Sequence, residues 1–61
     1  MTSSLILALN DAERLMTKEA VQHARLVLLE YQRKGLLHLD TVASVNKTLD
    51  QLEEEIENGK P

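Results

Sequence analysis

Apolar residues in the second half of the chain recur every three or four positions, as they do along one side of an α-helix. The series is Val42, Val45, Leu49, Leu52 and Ile56. Such a narrow seam is typical of a coiled coil or a helical hairpin. Asp40 stands where an N-cap is expected, and Gly59 provides a natural stop. The pattern therefore predicts a helix over about residues 41–57.

The first half of the chain also predicts a helix, because neither Gly nor Pro occurs between Thr2 and Lys34. Its C-terminal end is well defined at Gly35, where basic residues complement the helix dipole and glycine tolerates a left-handed cap. Its start has three candidates, which are Ser3 or Ser4, Asn10, and Thr17. We expect one long helix over about residues 4–34, with a break near Thr17 as an open alternative.

The short connection over residues 35–40 favours antiparallel packing of the two helices. The expected fold is thus all-α, a single helical-hairpin domain over residues 1–61 with a short tail at 58–61. A chain of this length usually needs disulfides, a metal or a partner for stability, because 61 residues bury only about 60% of their unfolded surface when they fold alone. The chain has no cysteine for disulfides or thiolate metal sites, so self-association is the remaining support.

Apolar residues on two sides of the first helix point to the same conclusion. Leu15 and Leu26 lie well away from the face that suits the second helix, and a hairpin has only one interior. A helix over 4–34 would also extend for about 46 Å against about 26 Å for its partner. We therefore expect a homodimer in a four-helix arrangement, with a higher oligomer as an open alternative. The interface residues expected are Leu5, Leu9, Leu15, Leu26 and Leu29.

Charge is unevenly distributed along the chain, whose formal net charge is −3. Residues 1–39 hold five basic and four acidic side chains, whereas residues 40–61 hold two basic and six acidic ones. An acidic face of the second helix is therefore a candidate surface for another protein, a basic one if charge drives the contact; a merely solvated face is the plainer interpretation. Its residues are Asp50, Glu53, Glu54 and Glu57.

Candidate chemistry adds little to this picture. His23 and His38 lie on different elements without further ligands at metal-binding spacing, and Glu19 with His23 is typical of a surface helix pair. No serine has a nearby base, and no glycine-rich loop is present for a phosphate. We expect no enzyme activity, no catalytic residue, no cofactor, no metal and no small-molecule substrate.

Nucleic acid and membrane are also disfavoured as partners. A basic stripe on the first helix lacks an aromatic stacking platform; its residues are Arg14, Lys18 and Arg25, with Gln32. The longest apolar run, Leu5 to Leu9, is too short to cross a bilayer, and no basic segment precedes it. A cytoplasmic location is the expectation.

Three short stretches resemble the Rop-type plasmid regulators and, more broadly, small helical accessory proteins of bacteriophages and plasmids. They are Ala8-Leu9-Asn10 with Ala12, Leu26-Val27-Leu28-Leu29-Glu30, and Leu39-Asp40. The resemblance implies a dimeric helical hairpin of nearly this length and an RNA-facing role for Asn10. The aromatic residue with which that family contacts paired RNA loops has no counterpart in this sequence.

A second set of residues is similar to the sporulation aspartyl-phosphate phosphatases, short helical hairpins that act on response regulators. The set comprises Gly35-Leu36, Val42 and the run from Asn46 to Leu52. That family carries a Ser-x-x-Leu-Asp signature, and in this chain Asn46 stands at the position of the serine. The resemblance implies Asp50 as the residue to test.

Three functional hypotheses follow. The first is a non-enzymatic regulator of the phage or prophage type that acts through protein–protein interaction as a helical oligomer. The second is a nucleic-acid-linked regulator, either an acidic DNA mimic or a Rop-like RNA binder. The third is a phosphatase-like hairpin that acts on a response regulator.

Overall fold

Three helices make up the computed structural model, which describes residues 4–59. They are α1 at Ser4–Leu15, α2 at Lys18–Arg33 and α3 at Leu39–Glu57. No strand occurs among the described residues, so the predicted all-α class is confirmed. Ser3, one of the candidate caps, and the last two residues of the predicted tail lie outside the described range.

A sharp break separates α1 from α2 and replaces the single long helix over residues 4–34. Met16 adopts a left-handed conformation with φ of 53°, and its amide donates to the carbonyl of Ala12 at 3.0 Å. Thr17 is extended, and its Oγ1 accepts a hydrogen bond from the Ala20 amide at 3.2 Å. Thr17 is therefore an N-cap, as in the open alternative, because its hydroxyl satisfies one of the amides that a helix start leaves without a partner.

The break lets α1 fold back onto α2 so that α2 packs between α1 and α3. Small residues permit this approach, since Ala8, Ala12 and Ala24 are almost fully buried. The described core is entirely apolar. It consists of Leu5, Ala8, Ala12, Val21, Ala24, Leu28, Val42 and Leu49.

A glycine cap ends α2 at the predicted place. Gly35 has φ of 70°, its amide donates to the carbonyl of Gln32 at 3.1 Å, and the Leu36 amide donates to Tyr31 at 3.0 Å. These two bonds form a Schellman motif, which satisfies carbonyls that the helix end would leave free. The chain then reverses direction over a short turn.

The third helix begins two residues earlier than expected, at Leu39. His38 is the N-cap and makes no side-chain capping bond, so the prediction that Asp40 caps this helix is wrong. Asp40 lies in the first turn, where its negative charge suits the helix dipole. The predicted apolar seam is confirmed, because Val42 and Leu49 are buried and the other three members pack against the core.

Candidate interaction surface

The leucines expected at an oligomer interface separate into two groups in the structure. Leu5 is 5% exposed and belongs to the core of its own chain, and Leu9 is partly buried against that core. Leu15, Leu26 and Leu29 are exposed by 53%, 64% and 48%. The fold-back of α1 therefore covers part of the surplus apolar surface and leaves the rest in solvent.

Leu26 and Leu29 lie on the side of α2 that faces away from the core. We name this side the outer face of α2; it consists of Glu19, Gln22, Leu26, Leu29 and Arg33, all of them exposed. Their spacing of three and four residues places them within one narrow stripe along the helix. Neither α1 nor α3 covers this stripe, because the buried side of α2 carries Val21, Ala24 and Leu28 instead.

The surface around the two leucines is shallow. A depression of about 360 Å³ is lined by Gln22, Arg25, Leu26 and Leu29. A second depression of about 370 Å³ shares Leu26 and Leu29 and extends along the other flank towards Arg33. Leu26 and Leu29 therefore project between two shallow depressions that have charged residues at their edges. A surface of this shape fits the side-chain ridge of another helix better than it fits a small molecule.

The acidic face of α3 is tied to α2 by one arginine. A single terminal nitrogen of the Arg25 guanidinium donates to Asp50 at 2.7 Å and to Glu53 at 2.8 Å. Glu54 and Glu57 are exposed and make no ion pair among the described residues. Half of the predicted acidic surface is thus matched by a cation within the chain, and the other half is not.

The ion pair also changes the electrostatics of Arg25. Hydrogen bonding to Asp50, and to a smaller extent to Glu53, raises the pKa of Arg25, while partial burial acts in the opposite direction. The arginine therefore stays charged throughout the physiological range. Because Arg25 is directed towards α3, the predicted basic stripe is interrupted at its centre.

Other candidate residues remain separate. Asn10 is exposed on α1, and His38 is exposed at the start of α3. Glu19 and His23 do not form an ion pair, whereas Arg14 pairs with Asp11 on α1 at 3.0 Å. Among the described residues, no group of three His, Asp or Glu side chains is arranged to hold a metal ion.

Sequence reasoning missed one concave feature. A groove of about 610 Å³ runs between α1 and α2, with Leu7, Asp11, His23, Tyr31 and Leu36 among its lining residues. It exists only because α1 folds back on α2. The signal that predicts it is the cap at Thr17, since a helix start there requires the chain to turn after Leu15.

Comparisons with protein-family models, with curated proteins and with solved structures return no match for this chain. Across residues 4–59, no helix combines the length and the apolar character needed to cross a lipid bilayer.

Proposed function

We propose that this chain is a non-enzymatic regulatory protein, of the kind carried by bacteriophages and prophages, that acts by binding proteins as a helical oligomer. The observation that supports this proposal most directly is the uncovered outer face of α2, where Leu26 and Leu29 lie in solvent. Complete burial of a leucine side chain contributes about 1.5–3 kcal/mol, and Leu26 and Leu29, which are about half exposed, each retain roughly half of that as a source of binding free energy. Large apolar residues in such a stripe are characteristic of interaction sites.

The acidic face of α3 is the proposed contact for a second, different protein. Arg25 offsets part of the charge of Asp50 and Glu53, whereas Glu54 and Glu57 form no ion pair in the described part of the chain. Opposite charge on the partner would accelerate association and select against acidic partners. We therefore propose a partner with a basic surface.

A binding experiment tests this function with charge-reversed variants. The wild-type chain and the double variant Glu54→Lys/Glu57→Lys are used as baits in extracts of the source cell, and bound proteins are identified by mass spectrometry. We expect a bound protein with a basic surface that the variant loses, and whose retention falls steeply as salt is added.

A matched control carries the same charge change elsewhere. Glu13 on α1 and Asp40 on α3 are exposed and form no ion pair in the described part of the chain, so Glu13→Lys/Asp40→Lys makes the same change of net charge away from the proposed surfaces. The control should retain the bound protein. Equal retention by both double variants would contradict the proposed role of the acidic face.

A further inference from the structure

The outer face of α2 has an ordered arrangement of charge around its leucines. A seven-residue interval separates Glu19 from Leu26 and Leu26 from Arg33. Gln22 lies three residues after Glu19, and Leu29 lies three residues after Leu26. This is the heptad spacing of a helix that pairs with another helix. An acid stands at one end of the stripe, a base at the other, and the two leucines lie between them.

From this pattern we infer that a second copy of the chain covers the outer face of α2, with the two α2 helices antiparallel about a two-fold axis between Leu26 and Leu29. The inference rests on the proposed oligomeric function and specifies its geometry. In a pair of antiparallel helices, the first heptad position of each helix packs against the fourth position of the other helix. Leu26 of each copy therefore contacts Leu29 of the other copy, which gives two equivalent contacts. A two-fold interface is self-complementary, which such a repeated pair satisfies.

Charge complementarity supports the antiparallel orientation. In the same register Arg33 lies opposite Gln22 of the second copy and one helical turn, about 5 Å, from Glu19. A guanidinium on its long side chain spans that offset, so two Glu19–Arg33 pairs would flank the leucines. A parallel arrangement would instead place Glu19 beside Glu19 and Arg33 beside Arg33, which is repulsive.

The residues needed for this contact are available in the monomer. Glu19 and Arg33 are exposed, and within residues 4–59 neither forms an ion pair. They lie in the first and last turns of α2, so the antiparallel pair also brings each helix N-terminus near the C-terminus of its neighbour. The 16 residues of α2 are long enough to contain both leucine layers and both flanking pairs.

Charge reversal tests the register. Glu19→Arg places a cation near Arg33 of the second copy, and Arg33→Glu places an anion near Glu19. Each variant alone should dimerise at least about tenfold more weakly than the wild-type chain in sedimentation equilibrium. An equimolar mixture of the two variants should recover wild-type association, because each heterodimer contains two opposite-charge pairs.

The double variant Glu19→Arg/Arg33→Glu separates this contact from effects within one helix. Both changes oppose the helix dipole, so an intrachain explanation predicts that the double variant is worse than either single one. The antiparallel pairing predicts instead that its dimerisation returns to the wild-type level. The charge reversals Glu13→Arg and Lys47→Glu, away from the outer face, serve as controls and should leave dimerisation unchanged.

Three results would overturn the inference: a wild-type chain that stays monomeric at millimolar concentration, a variant mixture that associates no better than its components, or an unaltered dimer for Leu26→Glu. Circular dichroism on each variant verifies that the helices are intact. If the chain is monomeric but Glu54→Lys/Glu57→Lys still abolishes capture of a basic protein, the protein-binding function stands and only the second copy is excluded.

Discussion

At the scale of single residues, Arg25 organises the electrostatics of the molecule. It joins α2 to two carboxylates that are 25 and 28 positions away in sequence. Part of its side chain remains in solvent, so the ion pairs are screened and their contribution to stability is modest. The asymmetry of charge along the sequence is thus partly cancelled across the α2–α3 contact.

Replacement of this arginine gives the first prediction. Arg25→Gln should lower the free energy of unfolding by about 0.5–1 kcal/mol at low salt, and the difference should shrink in molar salt. Urea denaturation followed by circular dichroism measures both effects. Lys47→Gln removes the same charge from an exposed position on α3 without an ion pair, and it should leave stability unchanged; an equal loss for both variants would argue against the Arg25 network.

The direction of the pKa shift fixes how these ion pairs respond to alkali. Because the folded-state pKa of Arg25 is raised, its contribution is complete below the ordinary arginine value and is lost only as pH rises beyond the raised value. Titration of Arg25 itself therefore adds no slope to stability in the neutral range. Denaturation curves of wild type and Arg25→Gln between pH 6 and about 9 should stay separated by a constant amount.

Sequence reasoning located these residues but not their pairing. The helical wheel placed Arg25 on a basic stripe of the first helix, and the heptad placed Asp50 and Glu53 outside the apolar seam of the second, so neither pattern predicted that these side chains meet. Which faces meet depends on how α2 and α3 are rotated about each other, and core packing at Val21, Leu28 and Leu49 decides that. The seam on α3 was predictable because one helix alone determines it.

At the scale of elements, the junction at Met16 and Thr17 decides the architecture. A left-handed methionine is strained relative to glycine, and the Thr17 cap together with burial of α1 compensates for that strain. Local periodicity alone is compatible with a continuous helix through this point. The break therefore depends on the free-energy difference between a continuous helix and a chain reversal at Met16 and Thr17. The spacing of apolar residues does not reveal this difference.

Removal of the cap tests the junction. Thr17→Ala should lower the free energy of unfolding by about 1 kcal/mol, since the Ala20 amide loses its acceptor, and the melting temperature should fall by about 4–8 °C. Thr17→Ser keeps a hydroxyl and is the matched control. Calorimetry on both variants checks the prediction, and an unchanged melting temperature for Thr17→Ala would show that the cap is unimportant.

The close approach of α1 to α2 provides a second prediction at this scale. Ala12 is fully buried between the helices, so Ala12→Leu adds volume to a packed site and should cost about 1–3 kcal/mol of stability. Ala43→Leu, at an exposed position on α3, is the control and should have little effect. Stability of Ala12→Leu equal to wild type would mean that α1 does not pack against α2 in solution.

At the scale of the whole molecule, seven large apolar side chains among the described residues stay exposed. They are Ile6, Leu7, Leu15, Leu26, Leu29, Leu36 and Leu39. The composition indicated that a chain of this size needs support, and two of the exposed residues, Leu26 and Leu29, lie together on the outer face of α2. Leu5, although expected at the interface, serves the core of its own chain.

Self-association links stability to concentration, and this gives a prediction for the whole molecule. The melting temperature of the wild-type chain should rise by several degrees as its concentration increases from micromolar to millimolar, because only the folded state dimerises. Leu26→Glu should not dimerise, so its melting temperature should be independent of concentration. Its monomer should still fold, because Leu26 is exposed in the monomer. Scanning calorimetry at several concentrations measures the difference, and a concentration-independent wild type would contradict the dimer.

The short junctions of the chain also govern how quickly it finds its structure. Each helix follows the one that it packs on most closely, with two residues between α1 and α2 and five between α2 and α3. Little entropy is lost in closing such loops, and chains with mainly local contacts fold in microseconds to milliseconds. The monomer should therefore complete folding before two copies collide at micromolar concentration. The dimer then forms from folded monomers rather than from partly folded chains.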